Sequence, residues 1–116
     1  MIDYDKRKHT FRLYGVSLEA VRLIMRVVHE IARHDANLAD QAKRAATSWH
    51  LNLAEGMNAP GKLRNLRYRC ALGSVNEVIT CCDLAVVLGY VELTEEETDA
   101  MQHVRATLLN LVRPKR

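Results

Sequence analysis

Ser48, Asn52 and Glu55 stand at helical spacing and are the residues of this chain best placed to do chemistry together. At about 100° per residue they fall within roughly 60° of one another, stacked on one helix face. A carboxylate held half out of water beside a hydroxyl and an amide has a raised proton affinity and can exchange protons, so a small acid–base site is one reading. A second row, Arg67, Cys70, Ser74, Glu77 and Cys81, alternates steps of three and four further along. Two such rows suit a buried hydrogen-bond network between packed helices, with Arg44, Ser48, Asn52, Glu55, Ser74 and Glu77 as its members. A satisfied network of this kind fixes helix register, and that structural role is the simpler explanation.

Other catalytic constellations fail on spacing. His29 and His34 flank Glu30 in a near match to His-Glu-x-x-His, but they are five residues apart. Five residues is roughly 140° round a helix, so they cannot share one metal as an i, i+4 pair does. Glu55 and Glu77 are followed three residues later by Asn58 and Thr80, so the paired Glu-x-x-His motifs of di-iron bundles are missing. There is no phosphate loop and no Gly-x-Ser-x-Gly. Cys70, Cys81 and Cys82 form no Cys-x-x-Cys and read as buried reduced thiols. No metal, no cofactor and no catalytic residue is expected.

Charge offers a different function. The net charge is +3, but residues 1–76 hold 13 Lys and Arg against 7 Asp and Glu, and residues 77–116 hold 4 against 7. The basic residues gather at Lys6, Arg7, Lys8 and Arg12, along Arg22, Arg26 and Arg33, and at Lys62, Arg64, Arg67 and Arg69, with no acid between Gly56 and Asn76. A basic run at a helix N-terminus attracts phosphate, because the helix dipole adds to the side-chain charge. Lys62, Arg64, Arg67 and Arg69, supported by Arg22, Arg26 and Arg33, are therefore the candidate nucleic-acid-binding residues. A solvated charged face is the bland alternative.

Four helices must position these groups. At 116 residues the chain reads as one domain, 1–116. The periodicity predicts helices over about 10–34, 38–57, 62–88 and 94–112, with short connections that force an antiparallel up-down-up-down four-helix bundle, all-α. Leu18, Val21, Met25, Val28 and Ala32 form the expected inner face of the first helix, and Leu38, Ala42, Ala45, Trp49 and Leu53 that of the second. Asn58 is the expected N-cap of the third, Gly89 its stop, and Thr94 with Glu97 a capping box for the fourth, whose inner face is Met101, Val104, Leu108 and Leu111. On the third helix Ala71, Val78, Cys82, Ala85 and Leu88 are expected inward. Leu72, Ile79, Val86 and Val87 are expected outward, as an apolar oligomer interface. No apolar run approaches the length of a membrane span and the start is no signal peptide, so a soluble, cytoplasmic protein without membrane contact is expected.

One further pattern runs through these residues: Leu38-x-x-Gln41, Arg44-Ala45-Ala46-x-Ser48 and Asn52-Leu53-Ala54-Glu55-Gly56, then Lys62, Ala71-x-Gly73-Ser74-x-x-Glu77 and Leu88-Gly89-Tyr90. In it the chain resembles the four-helix-bundle family of proteins encoded in intervening sequences of bacterial 23S ribosomal RNA, related to accessory proteins of diversity-generating retroelements. Arg67 and Tyr68 stand where that family usually has large apolar residues, and Ala59-Pro60-Gly61 replaces its usual Ser cap. The resemblance implies a homopentamer and a non-enzymatic binding or scaffolding role, with a reverse transcriptase or other protein as a partner, since the related accessory proteins bind nucleic acid near a reverse transcriptase. A homo-oligomer that recognises RNA or structured nucleic acid by charge and shape is the leading expectation. A protein-interaction scaffold with no nucleic-acid role is the alternative.

Overall fold

The computed structural model describes residues 8–112, with side chains from Arg12 onward, so Lys6, Arg7 and the Lys8 side chain lie outside what is described. The elements are α1 (Lys8–Ala32), α2 (Ala36–Met57), α3 (Gly61–Val87) and α4 (Glu95–Leu111), each within two residues of the expected bounds. No strand occurs among the described residues. α1 packs on α2 and α4, and α3 packs on the same two, so the helices form a closed square whose most extensive contact is α2 with α3. Only residues 33–35 and 58–60 join the first three helices. Connections that short leave no chain for a return crossing, so consecutive helices run antiparallel.

Helix ends follow local chemistry. Asp35 caps α2 by accepting from the Leu38 N–H at 3.0 Å. Thr94 and Glu97 form the expected capping box, with the Glu97 N–H donating to Thr94 Oγ1 at 3.1 Å and the Thr94 N–H to Glu97 Oε1 at 2.9 Å. α3 ends in a Schellman motif: Gly89 takes φ 79°, its N–H donates to Val86 O, and the Tyr90 N–H reaches Ala85 O. Tyr90 then stacks on His34 with ring centroids 5.2 Å apart, pinning the α3–α4 connection to the end of α1. Asn58 departs from expectation. It is the C-cap of α2, its N–H donating to Glu55 O and the following Ala59 N–H to Gly56 O, and Pro60 is the N-cap of α3 without a side-chain bond. The reversal needs Gly61 at φ 44°, which side-chain-bearing residues rarely adopt, so α3 can start only there.

The inner row of α2 is buried as expected, and Trp49 is the largest fully buried side chain. α1 is rotated from its expected setting. Leu18 and Ala32 are exposed, while Leu13, Ser17, Ala20, Ile24, Val27 and Ile31 face the core. The reason is polar: the Trp49 indole N–H needs a partner once buried, and Ser17 Oγ accepts it at 2.8 Å. On α3, Tyr68, Ala71, Val75, Val78, Cys82 and Ala85 line the core. Leu72 and Ile79 are not outward as expected but half-buried against the core, and Leu88 and Leu111, expected inward, are exposed. By length and composition α3 does reach what a membrane crossing needs, with a mean hydropathy of 1.5. A third of that stretch is buried inside the bundle, where the inner row of α3 forms part of the core.

α2 passes close to α3 at Gly56. A Cβ there would meet the buried Tyr68 ring at 2.6 Å and 2.7 Å. Gly56→Ala should therefore lower thermal stability by about 1–3 kcal/mol, the usual cost of overpacking. Gly15→Ala, where a Cβ meets nothing within 4 Å, should be neutral or gain up to about 1 kcal/mol. Paired thermal melts of the two variants check this.

Candidate nucleic-acid interface and the polar seam

The two polar rows meet along the lip of the α2–α3 contact. Ser48 Oγ and Ser74 Oγ are 2.8 Å apart. Asn52 Nδ2 donates back to Ser48 O at 2.9 Å and Ser48 Oγ at 3.2 Å. Arg67 closes the chain, donating to Asn52 Oδ1 at 3.4 Å and pairing with Glu55 Oε2 at 3.1 Å. Contact between the rows is thus present, but the expected burial is not. The Glu55 side chain is 58% exposed and that of Arg44 81%, the latter 3.8 Å from Asp40, and Glu77 is also exposed. The small Ala42, Ala45 and Ala46 fill the interior side of this contact, leaving the polar rows at its edge. Gln41, Arg44, Ser48, Ser74 and Glu77 line an open groove of about 550 Å³ there. The burial that proton exchange at Glu55 required is absent.

Buried polar chemistry lies elsewhere, on residues the periodicity passed over. Ser17, fully buried, accepts from Trp49 Nε1 and lies 2.8 Å from His50 Nδ1, with the Tyr14 ring edge-on to His50 at 4.8 Å. One hydrogen bond joins Ser17 Oγ and His50 Nδ1, its direction set by the imidazole tautomer. Burial lowers the His50 pKa, and Nε2 has no partner among the described residues. The second buried group is Glu97, 2% exposed. Besides the capping box, its carboxylate receives Arg26 Nε at 2.5 Å and Nη2 at 2.7 Å, and the same guanidinium reaches Glu92 O at 3.1 Å. The bonds from Arg26 lower the Glu97 pKa against the opposing effect of burial. Cys81 and Cys82 are buried, their thiols pushed up mainly by desolvation, Cys82 to about 12, while Cys70 is exposed. Among the described residues no cluster of side chains is fit to hold a metal.

The basic candidates divide into two sets. Along α1, Arg22 pairs with Glu19, Arg33 with Glu30 at 3.5 Å and Arg26 with Glu97, so acids interrupt that stripe. The i, i+3 spacing of two of these pairs was visible in the sequence. At the start of α3, Lys62, Arg64 and Arg69 are exposed. Arg64 Nε is tied to Ala59 O at 2.9 Å, and Arg67 turns into the polar seam. No acid stands in the first turn of α3, so the cations and the positive end of the helix dipole point the same way.

Residues 10–111 match the family model described as 23S rRNA-intervening sequence protein. The chain belongs to that family. Of the residues that carried the resemblance, Ser48, Asn52 and Ser74 lie on the α2–α3 lip, Gly56 meets Tyr68, Leu88-Gly89-Tyr90 form the turn after α3, Leu38, Leu53 and Ala71 are in the core, and Lys62 is exposed in the first turn of α3. No curated protein and no solved structure matches the chain significantly.

The contrast between lip and interior gives a mutational ranking. Glu55→Ala, removing half of a solvent-exposed pair, should cost under about 1 kcal/mol. Glu97→Ala strips a helix cap and a charged partner at once and should cost about 2–3 kcal/mol, below the range for a fully buried pair because Arg26 is half exposed. The pH dependence separates the two buried groups. His50, with its folded pKa lowered, contributes stability that is complete above its unfolded value near 6.5 and declines as pH falls below it. Glu97, also lowered, holds its contribution above the ordinary carboxylate range and loses it as pH falls through its folded pKa. Urea titrations across pH 3–8 should show two successive losses, the upper one absent in His50→Gln and the lower one reduced in Glu97→Gln.

Proposed function

We propose that this protein is a non-enzymatic, homo-oligomeric nucleic-acid-binding bundle that recognises RNA or structured nucleic acid by charge and shape. The observation that carries the reading is the opening of α3, where Lys62 and Arg64 are exposed in the first turn and Arg69 about two turns further on, in a stretch without acids. The family name, which refers to 23S rRNA, supports the same direction. Self-association is supported by the apolar outer side of α3, where Leu66 and Val87 are 53% and 82% exposed. Repetition of a modest phosphate contact in each subunit then gives useful avidity. A scaffold role without nucleic acid is the second reading, favoured by one observation: acids pair every arginine of the α1 stripe.

Gel retardation of a structured RNA and of duplex DNA tests the choice. Binding should weaken steeply with salt and show little sequence preference, because contacts are to phosphates. Lys62→Glu with Arg64→Glu should abolish retardation without changing the mass measured by light scattering. An oligomer that retards neither probe at about 50 mM salt gives first place to the scaffold reading.

A further inference from the structure

Two arginines stand one turn apart on the flank of α3 that faces the end of α2, and an acid holds only one of them. Arg64 is exposed and anchored by Nε to Ala59 O at 2.9 Å, just past the end of α2. The side chain is thus fixed by its inner nitrogen, and its two terminal nitrogens form the outer edge. Arg67 follows at i, i+3, so the two side chains are neighbours on the helix surface. Its Nε lies 3.1 Å from Glu55 Oε2, and its Nη1 donates to Asn52 Oδ1 at 3.4 Å. Packing sets its stem: a Cβ on Gly56 would stand 3.3 Å from the Arg67 Cβ, so the side chain leaves a close helix contact and runs out along α2 to the lip.

Neighbouring guanidiniums suit a phosphodiester, whose two unesterified oxygens accept from planar forks of N–H groups. Glu55 takes that place on Arg67 instead. The pair is held lightly. Its side chains are 40% and 58% exposed, and an ion pair in that setting adds little to stability. The Asn52 contact is longer than an ordinary hydrogen bond. Once parted, both groups return to water at small cost. No other acid stands nearby in the sequence, since none lies between Gly56 and Asn76.

We propose that Glu55 is an internal competitor of the polyanion: it withholds Arg67 from the basic surface that opens α3, and its release completes a phosphodiester clamp made of Arg64 and Arg67. This deepens the nucleic-acid reading above and rests on it. Glu55 thereby sets how many cations each subunit offers.

Titration of a hairpin RNA followed by fluorescence anisotropy, repeated from about 50 to 200 mM salt, reads both the affinity and the number of phosphates engaged. Glu55→Gln keeps the shape of the side chain and removes its charge. It should tighten binding about three- to fivefold at the lowest salt, the worth of an exposed ion pair. It should also steepen the log–log salt slope by about 0.7–0.9, one further phosphate contact. Arg67→Gln alone should leave the slope at its wild-type value. In the double variant the gain from Glu55→Gln should disappear, because the cation it releases is gone, and the cycle of four proteins isolates that coupling. Circular dichroism and light scattering confirm that fold and mass are unchanged. An equal gain with and without Arg67 is general charge repulsion and overturns the competitor role while leaving nucleic-acid binding standing. Wild-type binding that Glu55→Gln does not alter does the same. A wild-type protein that binds no hairpin RNA at about 50 mM salt overturns both this role and the reading beneath it.

Discussion

A single indole proton sets much of this bundle. Trp49 is fully buried on α2, and an N–H taken out of water must find an acceptor or cost the fold its desolvation. Ser17 provides it, which obliges α1 to turn its Ser17 row inward although a more apolar row starts one residue later at Leu18. That rotation has effects at the far end of the helix. It brings the Arg26 edge of α1 toward α4, where the guanidinium meets the Glu97 carboxylate. Glu97 in turn closes the capping box with Thr94, so the start of α4 is held by the same helix whose setting the Trp49–Ser17 bond fixes.

How far the sequence could be read depended on how many faces each helix offered. α2 has one unbroken apolar row ending in large side chains, and it packs as its periodicity says. The ends of α3 and α4 were legible as well, because Gly89 and the Thr94–Glu97 pair act through local backbone geometry that neighbours cannot override. α1 has two overlapping apolar rows, and only a partner on another helix decides between them. α3 is apolar on three sides, so Leu72 and Ile79 could not be told from Leu66 and Leu84 by hydropathy alone. The polar rows on α2 and α3 were recognised as facing each other, and Ser48 does meet Ser74. Spacing gives the angle of a row round its helix but not its depth in the bundle, and these rows lie at the rim.

The same distinction orders the charges. Arginines on α1 have acids one turn away or across the interface, so most of their field is cancelled locally. At the start of α3 the backbone itself adds to the cationic side chains. The proposed polyanion contact rests on this uneven field, and the exposed apolar residues of α3 lie along the same helix. α3 therefore carries the core on its inner side and both candidate interaction surfaces on its outer side.

Three thiols, all on α3, meet two different surroundings. The Cys82 thiol, pushed to about 12, is ionised in only about one molecule in 10⁵ at neutral pH, and Cys81 is shifted in the same direction. The thiolate is the species that oxidants attack, so the vicinal pair is shielded by its surroundings despite its adjacency in sequence. Cys70, at the surface, has no such protection. Oxidation of the thiols would therefore begin on the skin of one helix, before it reached those the fold encloses.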